Sequence, residues 1–328
     1  LTSIIVIGSN SPSGASFCAH AIDRGYEVVA TSRSSEKADV FLHYKWNGRK
    51  SLVFERIDIN HDIDKFSSLI KKYRPSYVVN FASQGMVAQS WDNPTHWMQT
   101  NVVAMSALLE VLRNVDHLDR YVHFSTPEVY GSTQGWVAEN RDFRPSTPYA
   151  LSRAAGDMSV ALWTKTYGLP AIITRAANVY GEGQQLYRII PRTLLCCLTG
   201  QTLSLQGGGL SERAFVHFND VSDAVMRVCE HGKNGDSYHI SPRESITIRN
   251  LVEEICIITG KQFDDVVKMT PDRLGKDQSY LLDSTKIMTE LDWSPKVSLN
   301  EGLQRCVSWC ERHLTELQTL PQTYEHKK

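Results

Sequence analysis

No run of consecutive apolar residues in the 328-residue chain is long enough to span a bilayer, although hydrophobic residues make up 41% of it. Neither sign of charge predominates: 35 Lys and Arg stand against 36 Asp and Glu, a formal net charge of -1. That balance lacks the electrostatic footprint of a nucleic-acid binder or an anionic-membrane binder. Internal repeats and low-complexity tracts are missing too, which argues against a solenoid or a long disordered linker. The seven cysteines are odd in number and sit mostly in apolar helical contexts. Cys306 and Cys310 lie one helical turn apart, but no His or Cys at ligand spacing completes a metal site. Buried thiols in a reduced, cytoplasmic protein without a metal are expected. The first residues run into Ile4-Ile5-Val6-Ile7 without the basic flank and cleavage site of a secretory signal.

What the chain does have is alternation. Short apolar runs at 4–7, 27–31, 52–56, 77–81, 121–125 and 171–175 are separated by helical patterns, notably at 14–24, 63–73, 96–113 and 149–167. Strands buried on both faces and joined by helices predict a doubly wound parallel α/β sheet of the Rossmann type. At 37.0 kDa the chain can bury a large core and is expected to form two unequal lobes. Residues 1–177 would bind a dinucleotide. Residues 178–328 would form most of a smaller α/β substrate lobe, returning to the sheet near 214–232. The polar stretch 318–328 is expected to fray.

The first strand runs into Gly8-Ser9-Asn10-Ser11-Pro12-Ser13-Gly14 and then a helix. Such a turn aims backbone N–H groups and a helix N-terminus at a pyrophosphate, so Gly8, Asn10, Ser11 and Gly14 are the expected cradle. The second strand ends in Thr31-Ser32-Arg33-Ser34-Ser35, hydroxyls and a cation in place of the carboxylate that accepts from the ribose hydroxyls of NAD. Arg33 therefore favours NADP, with NAD as second choice. Asp58 and Ile59 follow the third strand, where a carboxylate can accept from the adenine amino group. Phe81 and Ala82 lie where the fourth strand passes the cofactor.

The reactive chemistry gathers at Phe124-Ser125-Thr126-Pro127-Glu128-Val129-Tyr130-Gly131 and Tyr149-Ala150-Leu151-Ser152-Arg153. A strand ends abruptly in a hydroxyl and a carboxylate, and a tyrosine opens a helix with a cation one turn later. Thr126, Tyr149 and Arg153 suit proton abstraction from a sugar hydroxyl during hydride transfer, and Glu128 suits proton abstraction from carbon.

With those segments on the page, the chain resembles the extended short-chain dehydrogenase/reductase family, and within it the nucleotide-sugar 4,6-dehydratases acting on dTDP-glucose or GDP-mannose. The resemblance covers nearly the whole chain. It includes the Gly loop, Ser90-Trp91-Asp92-Asn93-Pro94, Thr100-Asn101, the Thr126 segment, Pro148-Tyr149, Asn178-Val179-Tyr180-Gly181, Arg213 before Asp220-Val221, and Arg273-Leu274-Gly275 before Leu282-Asp283-Ser284. It implies that Tyr149 takes the C4 hydroxyl proton, that Thr126 orients hydroxyl and phenol, and that Glu128 removes the C5 proton before C6–OH leaves as water. The cofactor would stay bound and be recycled. Gln84, Asn178, Arg188, Arg213 and Arg273 would hold the nucleotide sugar, and helices at 96–113 and 149–167 would pair two subunits in a homodimer. His123 and His217 read as structural strand residues, and Trp91 and Trp97 as packing.

The sequence departs from the family pattern at four places. Pro127 stands where dTDP-glucose dehydratases carry an acid, and it cannot donate a proton. Arg153 replaces the usual lysine of Tyr-x-x-x-Lys, keeping the charge but not the shape. Gln84-Gly85-Met86-Val87 replaces a more polar, sugar-holding stretch, and Ser11 replaces the middle glycine of the loop. These departures keep two other readings open: a C4 oxidoreductase or 4-keto-assisted epimerase that loses no water, and a catalytically silent nucleotide-sugar-binding protein.

Overall fold

A computed structural model of the chain describes residues 2–49, 52–272 and 277–327. Arg273, one of the expected substrate contacts, lies outside the described residues. The central sheet has strands β1 (Ser3–Ile7), β2 (Glu27–Ser32), β3 (Val53–Arg56), β4 (Tyr77–Asn80), β5 (Arg120–Ser125) and β6 (Ala171–Ala176). All six lie within a residue or so of the expected runs. β1 is buried at every position, as befits a parallel strand covered on both faces. Ile5 registers against Val29 of β2 on one side and Val78 of β4 on the other. β1 is therefore the point at which the strand order reverses, and in doubly wound sheets the crevice beyond the carboxyl ends of the strands at such a point binds the ligand.

The helices start where local chemistry allows. Ser11 caps α1 (Pro12–Asp23) and Thr147 caps α5 (Pro148–Tyr167), each by accepting an N–H of the first turn. Proline stands in the first turn of both, where its missing N–H costs no helical bond. Between them, α2 spans Ile63–Tyr73, while the expected helix at 96–113 is composite. It consists of α3 (Pro94–Met98), a π-turn at Gln99–Ala104, and α4 (Met105–Leu112). The π-turn carries Asn101, whose amide holds the Gln84 backbone at 2.8 and 3.0 Å and the Ser152 hydroxyl at 2.9 Å. The helix distortion thus fixes a loop of the cleft.

The smaller lobe corrects the expected chain path. β7 (Asn178–Tyr180), β8 (Leu203–Gln206), β9 (Phe215–His217), β10 (Ser237–Ile240) and β11 (Val267–Thr270) follow in sequence. Of the return expected near 214–232, β9 pairs with β7 and not with the central sheet, while residues 218–231 do pack on the core of that sheet. The strand that rejoins the sheet is β10, which pairs with β6 and makes the order β10-β6-β5-β4-β1-β2-β3. Ser237-Tyr238-His239-Ile240 is short and half polar, so periodicity alone gave it no weight. The longer helices of the second half are α6 (Ile189–Thr199), α7 (Phe218–His231), α8 (Ile248–Ile258) and α9 (Leu299–Thr319). The segment 318–328 is the other correction. Its described part, beyond α9, docks in the cleft instead of fraying: Arg192 donates to Gln322 at 2.7 Å, and His326 stacks on Trp97 at 5.0 Å.

A buried polar network lies under the reactive turn. Asp157 of α5 pairs with Arg175 of β6 at 2.9 Å and lies 3.5 Å from His123 of β5. Arg175 donates to the Tyr130 hydroxyl at 2.8 Å, and that hydroxyl meets His239 of β10 at 2.9 Å. Burial, then the Arg153 and Arg175 charges, hold His123 well below the usual imidazole range, so it stays neutral. A paired, hydrogen-bonded buried network specifies one arrangement of its elements. Here it ties the helix bearing Tyr149 to the turn bearing Glu128. His123 is structural, as expected. So is His217, which caps α7 and meets Glu182 at 2.9 Å.

Candidate active site

The carboxyl ends of β1, β2, β4 and β5 open into a single cleft of about 1280 Å³ shared with the smaller lobe. At one end is the Gly loop. Gly8 has φ +87°, and a Cβ there would sit 2.6 Å from the Ala82 nitrogen; a Cβ on Gly14 would sit 2.4 Å from the Gly8 carbonyl. Only glycine fits this close approach of β1, β4 and α1. Ser11 lines the cleft at the position of the middle glycine. Its hydroxyl donates to the Gly8 carbonyl at 2.7 Å and accepts from the Gly14 N–H at 3.1 Å, so it staples the loop and leaves the backbone to face the ligand. Asn10 donates to the Ser34 and Ser35 carbonyls at 3.2 and 2.8 Å, which brings the end of β2 against the loop. Its buried Oδ1 has no partner among the described residues. Arg33, Asp58, Ile59, Phe81 and Ala82 all line the same cleft. A glycine cradle at a helix N-terminus, with an orphaned acceptor beside it, fits the pyrophosphate and ribose of a nicotinamide dinucleotide.

Next along the cleft come the reactive residues, and the structure brings them together. Thr126 caps a short 3₁₀ turn, Pro127–Tyr130, accepting the Glu128 N–H at 3.3 Å. Pro127 occupies the first position of that turn, where proline preorganises the backbone and no N–H is needed. The departure at Pro127 thus has a structural reason as well as a chemical consequence. Tyr149 opens α5 and faces this turn. Burial pushes its phenol above the usual tyrosine value; Arg153, the Thr126 hydroxyl and Arg188 oppose that, while the Glu128 charge adds to it. Arg153 is almost fully buried, and its guanidinium donates to the Phe124 carbonyl at the end of β5. Its Nε is orphaned among the described residues, as is the Ser125 hydroxyl. Both residues line the cleft, so a bound ligand would supply the missing partners.

The substrate side is less uniform than expected. Asn178 lines the cleft and accepts from the Tyr280 hydroxyl at 3.1 Å. Arg213 is buried and gives three donors to the carbonyls of Glu212, Gln278 and Asp277. It stacks on the Tyr280 ring at 4.0 Å, so it shapes the wall as much as it offers charge. Arg188 is exposed at the rim, over Tyr187. Gln84 is buried, and its amide engages Arg33 at 3.1 Å and Tyr324 at 3.0 Å. Tyr280, Tyr187, Arg192 and the 321–327 segment were not singled out from the sequence. Tyr280 had a signal, since it lies two residues before the Leu282-Asp283-Ser284 segment. Trp97 is fully buried packing, whereas Trp91 is half exposed and does not pack as expected.

A glycine cradle at the reversal of a parallel sheet, continuous with a Thr-Glu-Tyr cluster and a second lobe, defines an extended short-chain dehydrogenase/reductase. A family model for GDP-mannose 4,6 dehydratase matches residues 5–306. A dTDP-glucose 4,6-dehydratase of Haemophilus influenzae is 30% identical over 94% of this chain and 98% of the relative. Among solved structures, the dTDP-glucose 4,6-dehydratase of Streptomyces venezuelae with NAD bound superposes with a TM-score of 0.88 at 30% identity, covering 96% of this chain and 98% of that one. A UDP-glucose 4-epimerase of Thermotoga maritima reaches a TM-score of 0.86 at 27% identity, covering 95% and 100%. The chain belongs to the GDP-mannose 4,6 dehydratase family, the nucleotide-sugar 4,6-dehydratases of the extended short-chain dehydrogenase/reductase group. Among the described residues, no helix is long and apolar enough to cross a membrane.

Proposed function

We propose that the chain converts a nucleoside-diphosphate hexose to its 4-keto-6-deoxy derivative with the residues assembled here. The observation that carries this reading is the convergence of Thr126, Glu128 and Tyr149 on one wall of the cleft that also holds the glycine cradle. Tyr149 accepts the C4 hydroxyl proton, and Thr126 orients phenol and hydroxyl. When bound, a nicotinamide dinucleotide supplies the hydride chemistry at C4 and C6. Glu128 removes the C5 proton, acidified by the C4 ketone, and a phenol and a carboxylate suit these two tasks. Since Pro127 has no proton to give, Glu128 passes the one it has taken to the departing C6 oxygen, in a syn elimination. Solvent then reprotonates C5, and Tyr149 releases its proton, so the sugar loses one water with no net oxidation. Asn178, Arg188, Arg213 and Arg273 are the proposed diphosphate and nucleotide contacts.

The test is mass spectrometry of purified protein incubated with GDP-mannose, dTDP-glucose, UDP-GlcNAc and CDP-glucose. One of them is expected to lose a single water without consumption of added cofactor. An unchanged mass with exchange at C5 would replace this reading with the epimerase one.

The proposed dinucleotide is NADP. The dTDP-glucose 4,6-dehydratases of Streptomyces venezuelae and Bacillus anthracis are complexes with NAD, but here the end of β2 offers Arg33, Ser34 and Ser35 to the cleft, and the nearby Glu36 carboxylate is engaged by Tyr44 and Lys45. We also propose a homodimer. Leu151, Met158 and Leu162 are at least half exposed along one face of α5, and Val103 of the adjacent π-turn is as well. Apolar residues at this spacing make a helix-pairing stripe. Leu162→Glu is expected to weaken self-association about 100-fold, read by light scattering across a concentration series, because a charge at the centre of an apolar interface is left unpaired. An unchanged mass would place the interface elsewhere.

A further inference from the structure

The segment 321–327 contributes no core residue, yet it is pinned along its length by alternate side chains. Gln322, Tyr324 and His326 are half-buried, while Pro321, Thr323, Glu325 and Lys327 are exposed, which is the two-residue period of an extended chain. The half-buried set grips both walls of the cleft. Arg192 of α6 donates to the Gln322 side chain at 2.7 Å, and the Tyr324 ring meets Tyr187 edge-on at 5.6 Å. Across the groove, the Gln84 amide donates to the Tyr324 hydroxyl at 3.0 Å. His326 stacks on both Trp97 and His96 with ring centroids 5.0 Å apart, and its ring nitrogens meet Gln84 at 3.1 Å and His96 at 2.7 Å. At the end of β2 the Lys327 ammonium donates to the Ser34 hydroxyl, and its carbonyl accepts from Arg33, each at 3.3 Å.

β1 lies between β4 and β2 in the sheet. A chain gripped after β4 at Gln84 and after β2 at Ser34 therefore crosses the carboxyl end of β1 and the glycine cradle that follows it. Thr323 and Glu325, which make none of the gripping contacts above, line the cleft. The grip is made by side chains: among the described residues, no backbone–backbone hydrogen bond ties 321–327 to the rest of the chain. Side-chain hydrogen bonds and ring contacts are individually weak once water is counted, so a segment held this way opens without unfolding the core beneath it.

We propose that the segment 321–327 is a strap that shuts the cleft over a dinucleotide seated in the glycine cradle and slows its release. This rests on the cofactor reading above and holds for NAD and NADP alike. The proposed reaction takes hydride from C4 and returns it to C6, so loss of the dinucleotide between the two steps strands the sugar half-way, as a 4-keto hexose. A strap that opens for loading and stays closed through the cycle prevents that loss.

The experiment strips the protein of its cofactor, reloads it with NADH or NADPH, and follows release by fluorescence during a chase with excess NAD+ or NADP+. It compares the full-length protein, a chain ending at Leu320, and His326→Ala. The shortened chain is expected to release the dinucleotide about tenfold faster, with affinity falling in step because the effect lies in the off-rate. His326→Ala removes only the anchor on His96, Trp97 and Gln84, and should show a smaller acceleration in the same direction. Unchanged release in both variants would overturn the strap. So would a shortened chain that binds the dinucleotide more tightly, since the segment would then be a plug competing for the cradle. Either of those results leaves the cofactor reading intact, whereas a full-length protein that binds neither dinucleotide would remove that reading and the strap with it.

Discussion

Replacing Glu128 with Gln is expected to lower product formation by about 10³-fold while nucleotide-sugar affinity is kept. The side chain extends from a 3₁₀ turn whose backbone is fixed by the Thr126 cap and, below it, by the Tyr130–Arg175–Asp157 network. Glutamine keeps the volume and can still accept a hydrogen bond, so the turn should hold. What it cannot do is take a proton from carbon. In this chain the loss is doubled, because the neighbouring position is Pro127 and no second acid stands beside it. In the proposed reaction Glu128 removes the C5 proton and carries it to the C6 oxygen, and its removal should stop both. The measurement is deuterium entry at C5 in heavy water, followed together with loss of water from the sugar. Both should vanish in Glu128→Gln. If water is still lost within about tenfold of the wild-type rate, another base is at work and the assignment of Glu128 fails.

Much of this site is legible in the sequence because its parts are local. The strands at 4–7 and 121–125 are apolar at nearly every position and end in small or hydroxyl residues, so they announce both a parallel sheet and a place for ligands. The residues that cap, react and lie one turn apart, Thr126 with Glu128 and Tyr149 with Arg153, depend on spacing that sequence carries directly. What is hidden depends on partners far along the chain. The stacking of His326 on His96 joins residues 230 apart, and a polar tail gives no period by which to foresee it. Arg213 looks like a free cation, but the carbonyls at 277 and 278 that consume its donors come from a distant loop. Ser11 reads as a missing glycine. Only the Gly8 carbonyl and Gly14 N–H together reveal it as the staple that makes a glycine unnecessary there. The strand at Ser237–Ile240 is held by its register with Ile173–Ala176 and not by its own propensity.

Tyr149→Phe should be nearly as damaging, with turnover down on the order of 10³-fold and substrate binding little changed, because only the proton acceptor for the C4 hydroxyl is removed. The same phenol makes the rate depend on pH in a direction the site fixes. In the proposed reaction Tyr149 acts as a base only when ionised, and burial holds its pKa above the ordinary tyrosine value. Turnover should therefore climb as pH rises toward that pKa, until another step limits it. Arg153, Thr126 and Arg188 each pull the pKa back down. Arg153→Met removes the first of these. The phenol then ionises at still higher pH, the phenolate fraction at neutral pH falls, and the rising limb of the profile moves to the alkaline side. Raising the pH should restore part of the lost rate in Arg153→Met and none in Tyr149→Phe. That contrast separates an electrostatic role for the arginine from a purely structural one, because a misfolded cleft would not recover with pH. If the limb stays where it is in Arg153→Met, the cation does not tune the phenol, and its contacts with the Phe124 carbonyl and the ligand cleft would be its contribution.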